Sequence, residues 1–345
     1  MRKPRRIPPR LRFPPHRTAP LLALACTAQA AFGQGEPFPV SKTTTLKTDG
    51  LVFHVEGRQR IPSNVKIASW RAIEIRGQGG EAVLEVEGVL ELKAVTGGRV
   101  QVRDVWIEPM PECRSLYLAN TTFHGSGGIR PSPEGPCAPQ IYMEFLELGP
   151  GTSLELDMTA GSVDLQASIA RAPVRFTGLR PSPKKPNGTK VEVLTCKSKK
   201  KGGLNGGLLV EGMRDVLVRN CDLAGERTAF VDCEKLDFDG NNSRSRLTEF
   251  RHSDYGGLKK TKIHNCDFRS PRVVTWTPVK TEGRAERLLM DHCWIGGWTD
   301  PDSILAEVIE DSSRDPTSGV RVDFRKLRER PFGLGGMAEG PGGGR

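Results

Sequence analysis

Along this chain, short stretches with apolar residues two positions apart recur, and each runs into a turn-forming residue. Segments 216–223 (VLVRNCDL), 261–268 (TKIHNCDF) and 288–295 (LLMDHCWI) align position for position. The same pattern returns at 100–107 (VQVRDVWI) and 116–123 (LYLANTTF), in part at 236–241 (LDFDGN), and more loosely at 191–196 (VEVLTC). The starts at 191, 216, 236, 261 and 288 are separated by 25, 20, 25 and 27 residues. Self-similarity at such a period marks a solenoid. Less regular apolar pairs, Ile73/Ile75, Leu84/Val86, Leu154/Leu156 and Val163/Leu165, extend the pattern between the clear copies.

The physics of one copy narrows the type. Apolar residues two apart line one face of a strand. The fifth position is Asp104, Asn120, Asn220, Gly240, Asn265 or His292, residue types that enter the left-handed region more readily than most. One residue there turns the chain sharply, and a second short strand follows. Stacking such units at about 4.8 Å lets every strand pair with its copies above and below. Leucine-rich repeats would need a fixed Leu/Asn framework, and helical repeats a 3.6-residue period, and neither is present.

On these motifs the chain resembles the right-handed parallel β-helix proteins of the broad pectate-lyase-like superfamily, clearly over residues 70–295. The expectation is an all-β protein, a right-handed parallel β-helix solenoid of about ten rungs. The resemblance further implies three stacked sheets, an asparagine ladder through Asn220 and Asn265, and a closing segment from Ile304 to Phe324. It also points Cys196, Cys221, Cys266 and Cys293 inward in one column, as small buried residues. It is nearly silent on chemistry, because one fold hosts many functions.

Composition agrees with short strands and many turns: 39 Gly and 26 Pro punctuate the chain. No apolar run approaches the roughly 20 residues that span a bilayer, so no transmembrane segment is expected. The net charge of +10 is unevenly placed. Residues 1–33 hold seven Lys/Arg and no acid; taking these from the 51 basic residues leaves 44 against 41 acidic ones. That balance removes the case for nucleic acid as a partner.

The Arg-rich start, the apolar stretch from Leu21 and the small residues up to Gly33 read as a signal peptide over 1–33, and hence as a secreted or periplasmic protein. A transit peptide is the alternative, and Cys26 stands in a faint lipoprotein-type context. The solenoid domain then covers 34–330, and the Gly/Pro-rich residues 331–345 read as a disordered tail. No Cys-x-x-Cys pair occurs, so no zinc ribbon is indicated. Cys113 and Cys137 flank a Pro/Gly-rich insertion, and in an oxidising compartment a disulfide between them is one arrangement open to them.

Catalytic signatures of the fold are mostly missing. Asp291-His292 resembles part of a pectate-lyase motif, but its companion Arg269-Ser270-Pro271 lacks the closing Arg and stands in the wrong order, so a structural role at a bend is the better reading. The paired acids of polygalacturonases, a phosphate loop, a zinc His-Glu-x-x-His and a serine nucleophile motif are all lacking. No metal site and no cofactor are expected. One surface remains. If Val174 and Phe176 point inward, Arg175 faces out beside a turn carrying Lys184 and Lys185. The next turn, with Lys199 and Lys200, forms an opposite wall, Glu211 lies between, and Arg251, His252 and Asp254 occupy similar ground. Such a groove suits an acidic polysaccharide; the other reading of these residues is a set of solvated loop charges. Two readings follow: a glycan-binding or surface structural module, or a polysaccharide lyase or related carbohydrate-active enzyme in which a basic residue beside a carboxylate abstracts the proton α to a uronate carboxyl. N-terminal sequencing of protein recovered from the periplasm or medium should start at or near Ala31 or Gln34; retention of residues 1–30 would defeat the export reading.

Overall fold

The computed structural model describes residues 35–40, 44–48, 50–95, 97–180, 187–197, 202–253, 260–279, 285–315 and 317–331. The leader expected over 1–33, and the expected tail beyond Pro331, lie outside them.

Among the described residues the protein is all-β apart from one seven-residue helix, Pro301–Glu307, and the strands within its sheets pair in parallel. A twelve-stranded sheet runs in chain order from Thr44–Lys47 to Val320–Arg325. The repeats read from the sequence are neighbours in it: Val191 pairs with Val216, Val216 with Leu236, Leu236 with Thr261, and Ile263 with Met290. A sixteen-stranded sheet holds two further columns, joined by the long strand Ala72–Val86, which pairs through its first half with Arg99–Arg103 and through its second with Val105–Pro109. A four-stranded sheet, Asp222–Leu223 to Trp294–Ile295, continues one of those columns through single bridges at Leu204.

Alternation decides what lies inside. Val163, Val191, Val216 and Leu236 stack in register and are buried, while Asp164, Glu192, Leu217 and Asp237 stand on the outer face. Like stacks on like, so each added strand covers apolar area its neighbour exposes. Phe230 and Phe250 pair in register with rings 5.7 Å apart, and Phe238 meets Phe250 and Phe268 at 5.6 and 6.1 Å.

The bends are single left-handed residues. Asn120, Asn220, Asn265 and His292 have φ between 53° and 56°, but Phe145, Ala167, Thr195 and Lys326 occupy the same corner with φ from 46° to 55°. The expected asparagine ladder is therefore not continuous. Asn265 Nδ2 donates to Asp239 Oδ1 at 3.0 Å and Asn120 Nδ2 to the Ala94 carbonyl at 2.9 Å. One copy is also reassigned. Val100 pairs with Thr121, not Leu116, so Asp104, φ 56°, makes a different corner from Asn120. The same local rule, two inward residues and then a left-handed one, serves at more than one corner, and sequence alignment alone cannot separate the corners.

Cys196, Cys221, Cys266 and Cys293 each follow a bend residue and are fully buried. Their thiols donate to backbone carbonyls, Cys266 to His264 at 3.0 Å and Cys221 to Arg219 at 3.2 Å. Asn241 interrupts the column, its amide oxygen accepting from the Cys221 N–H at 2.9 Å. Cys113 and Cys137 are buried free thiols here, without the disulfide considered from their spacing. The expected closing segment pairs through Val320–Arg325 with Glu286–Asp291, after the helix, which was not anticipated from the strand pattern.

Two outcomes follow from this packing. Asn265→Val should destabilise by about 1–3 kcal/mol in denaturant unfolding, because a β-branched residue resists the left-handed region, and Asn265→Gly by less; equal losses would contradict the bend assignment. Burial pushes the thiols of Cys113 and Cys137 up to about 12. A raised pKa means less thiolate, on the order of one part in 10⁴ at pH 8. Neither should react with iodoacetamide in the native protein, and both should react after unfolding without reductant; protection that persists in denaturant would show a disulfide instead.

Candidate functional site

The outer face of one column carries most of the described residues singled out above. Val174–Gly178, Leu208–Glu211, Arg227–Val231, Leu247–Arg251 and Val273–Trp276 lie side by side, placing Thr177, Glu211, Val231, Arg251 and Trp276 in one line. Val174 and Phe176 point inward and Arg175 outward, as their alternation requires. Lys184, Lys185, Lys199, Lys200 and Asp254 lie outside the described residues.

Two adjoining concavities open on this face. One, about 570 Å³, is lined among others by Arg180, Glu211, Arg214, Asp232 and His252. The other, about 550 Å³, is lined by Arg175, Leu209, Arg227, Arg251 and Trp276, and shares Glu211 and Ser253 with the first. Arg175, Glu211, Arg251 and His252 thus border one continuous groove.

Two of its arginines share one carboxylate. Glu249, nearly buried, accepts from Arg227 Nε at 2.6 Å, and its other oxygen lies 3.4 Å from Arg251. Arg251 also stacks over the Trp276 ring, 5.1 Å from its centroid, a contact that orients the guanidinium along the groove. Arg175 and Glu211 stand 3.9 Å apart with both side chains about half exposed. At that distance and exposure the pair is weak.

At the groove's edge Asp232 holds a left-handed backbone, φ 53°, in the corner that Gly212 fills one strand earlier, and its carboxylate accepts from the Ser253 hydroxyl at 3.0 Å. His252 Nδ1 is 3.9 Å from Asp232 Oδ1, beyond hydrogen-bond reach. Lys260 Nζ donates to Glu234 at 2.8 Å and holds that carboxyl below the usual range. Carboxylate, imidazole and guanidinium groups therefore converge from consecutive strands. Among the described residues no group of three or more His, Cys, Asp or Glu is placed to hold a metal ion.

Asp232, Arg214, Arg227 and Trp276 were not singled out from the sequence. Aligning 209–213 (LVEGM), 229–233 (AFVDC) and 249–253 (EFRHS) would have found Asp232, since it takes the place of Gly212 just after the strand end. Trp276 follows the alternation of Val273 and Thr275 and points outward by parity alone. Asp291 and His292 take the structural role expected: His292 is a bend residue, with Nδ1 2.9 Å from Asp291 Oδ1. Compared with known proteins, the chain matches no family model, no curated protein and no solved structure.

Proposed function

We propose that this chain is an exported protein of the right-handed parallel β-helix type, with about ten rungs, that binds an acidic polysaccharide along the groove bordered by Arg175, Glu211 and Arg251. The observation that carries the reading is the pair of adjoining concavities lined by five arginines, Arg175, Arg227 and Arg251 from three strands of one sheet and Arg180 and Arg214 from the turns beside them. The strand arginines stand at different registers, so an acidic chain can meet them at several points. The loose Arg175–Glu211 pair offers a guanidinium to a sugar carboxylate, and Arg251, stacked over Trp276, offers a second.

A second reading, a carbohydrate-active enzyme, is favoured by one arrangement: Glu211, Asp232 and His252 line the same concavity as Arg180 and Arg214. A base there would take the proton α to a uronate carboxyl while an arginine neutralises that carboxylate.

Immobilised polygalacturonate should retain the protein at low ionic strength and release it as salt rises, because the contacts are between exposed charges. Arg175→Ala and Arg251→Ala should each weaken retention about tenfold, the scale of one lost charge-assisted hydrogen bond. Failure to bind polygalacturonate, alginate and sulfated glycans alike would refute the binding reading. Growth of unsaturated-uronate absorbance with wild type, lost in Asp232→Asn or His252→Gln, would establish the enzyme instead.

A further inference from the structure

A third concavity, on a different face, is built around a residue that local physics disfavours. Phe145 occupies the corner where Asn120 stands on the preceding pass of the chain and Ala167 on the next, and all three are left-handed, with φ of 53°, 53° and 46°. Backbone bonds lock this stack: the Asn120 N–H donates to the Glu144 carbonyl at 2.9 Å and the Phe145 N–H to the Gln166 carbonyl at 3.1 Å. Asn suits such a backbone, whereas a bulky ring makes it an outlier. Nor does burial explain the ring, since Phe145 is 52% exposed. Its backbone is costly, and only about half of its ring is covered in return.

The ring borders a concavity of about 280 Å³ whose apolar lining is completed by Leu146, Ala167 and Ile169. Its polar lining comes from Arg99, Glu147 and Asn120. Arg99 Nη1 donates to Glu147 Oε2 at 3.0 Å, so the two charges offset each other. Asn120 donates one amide N–H to the Ala94 carbonyl at 2.9 Å, and its side-chain oxygen is an acceptor. The volume is just below the usual size of a small-molecule site, about 300 Å³ and upward, which suits one ring of a longer ligand.

We infer that Phe145 is the platform of a second carbohydrate subsite, taking one pyranose ring of a neutral glycan. The apolar C–H face of the sugar lies on the Phe145 ring, while its hydroxyls exchange hydrogen bonds with Glu147, Arg99 and Asn120. Charge compensation within the Arg99–Glu147 pair excludes the polyanion preference of the arginine-lined groove. The subsite does not depend on that groove being a binding site.

Cellohexaose and maltohexaose are the probes, followed by ligand-observed NMR and titration. Wild type should bind at least one of them weakly, with a Kd on the order of 1 mM, as a one-ring contact allows. Phe145→Asn should raise Tm by about 2 °C or more, because Asn adopts the left-handed backbone at less cost, yet weaken binding at least tenfold. Phe145→Tyr keeps the ring and should retain binding without that rise. Polygalacturonate retention should be the same in all three, which separates this subsite from the groove. Three results would each overturn the inference: no binding of either hexasaccharide by wild type, unchanged binding by Phe145→Asn, or a lower Tm for Phe145→Asn, which would make Phe145 a packing residue.

Discussion

Hydrogen bonding between stacked parallel strands is the constraint on which everything else in this molecule rests. The N–H and C=O groups of Lys190–Leu194 are satisfied by Ser162–Gln166 on one side and Asp215–Arg219 on the other, tens of residues away in sequence. No pass of the chain can satisfy its own backbone, and a buried unpaired amide is expensive. Each pass must therefore return to the same register, which forces inward residues to stack on inward residues. Corners must also be made without slipping the register, since a one-residue shift would turn a whole strand inside out. A single left-handed residue does this, and the stack of such residues from Asn120 to Lys326 is the consequence.

Because length is free only outside the stack, variation collects in the turns and on the outer faces. The outer faces differ in how tightly their charges are paired. Near the start of the chain, Glu108 is almost fully buried between Arg58 and Arg130, and Glu85 accepts from both Arg58 and Arg60. Those carboxylates are fully occupied, and the network acts as a clamp across neighbouring strands. Further along, Arg175 and Glu211 only approach each other, and Asp232 is turned to the rim. Tight pairs return at Arg227–Glu249 and Arg272–Glu310 on the same sheet, and function is sought at the loose pair between them and the clamp.

Even the thiols follow from the stack. A side chain just after a bend enters a narrow space, and Cys, Ser168, Thr121 and Asn241 meet it with small groups that return a hydrogen bond to backbone or neighbouring side chains. Burial then removes the thiols from reaction, so they serve as packing groups.

The fold was legible in the sequence because the repeat is local: alternation at 191, 216, 236 and 261 and the bend residues after it specify strand, inward face and register together. Parity alone also placed Arg175 and Glu211 on the outside. The corner to which Asp104 belongs, the breaks in the asparagine ladder and the helix Pro301–Glu307 were not legible, since identical local patterns serve different corners and Phe145 or Thr195 carries no turn signature. The sequence by itself determined the alternation that sends side chains in or out and the 20 to 27 residues between its clear copies. Only the tertiary structure decided which outward residues become neighbours, bringing Asp232 to His252 and Arg251 to Trp276, because strands 20 to 25 residues apart meet at a register set by the whole stack.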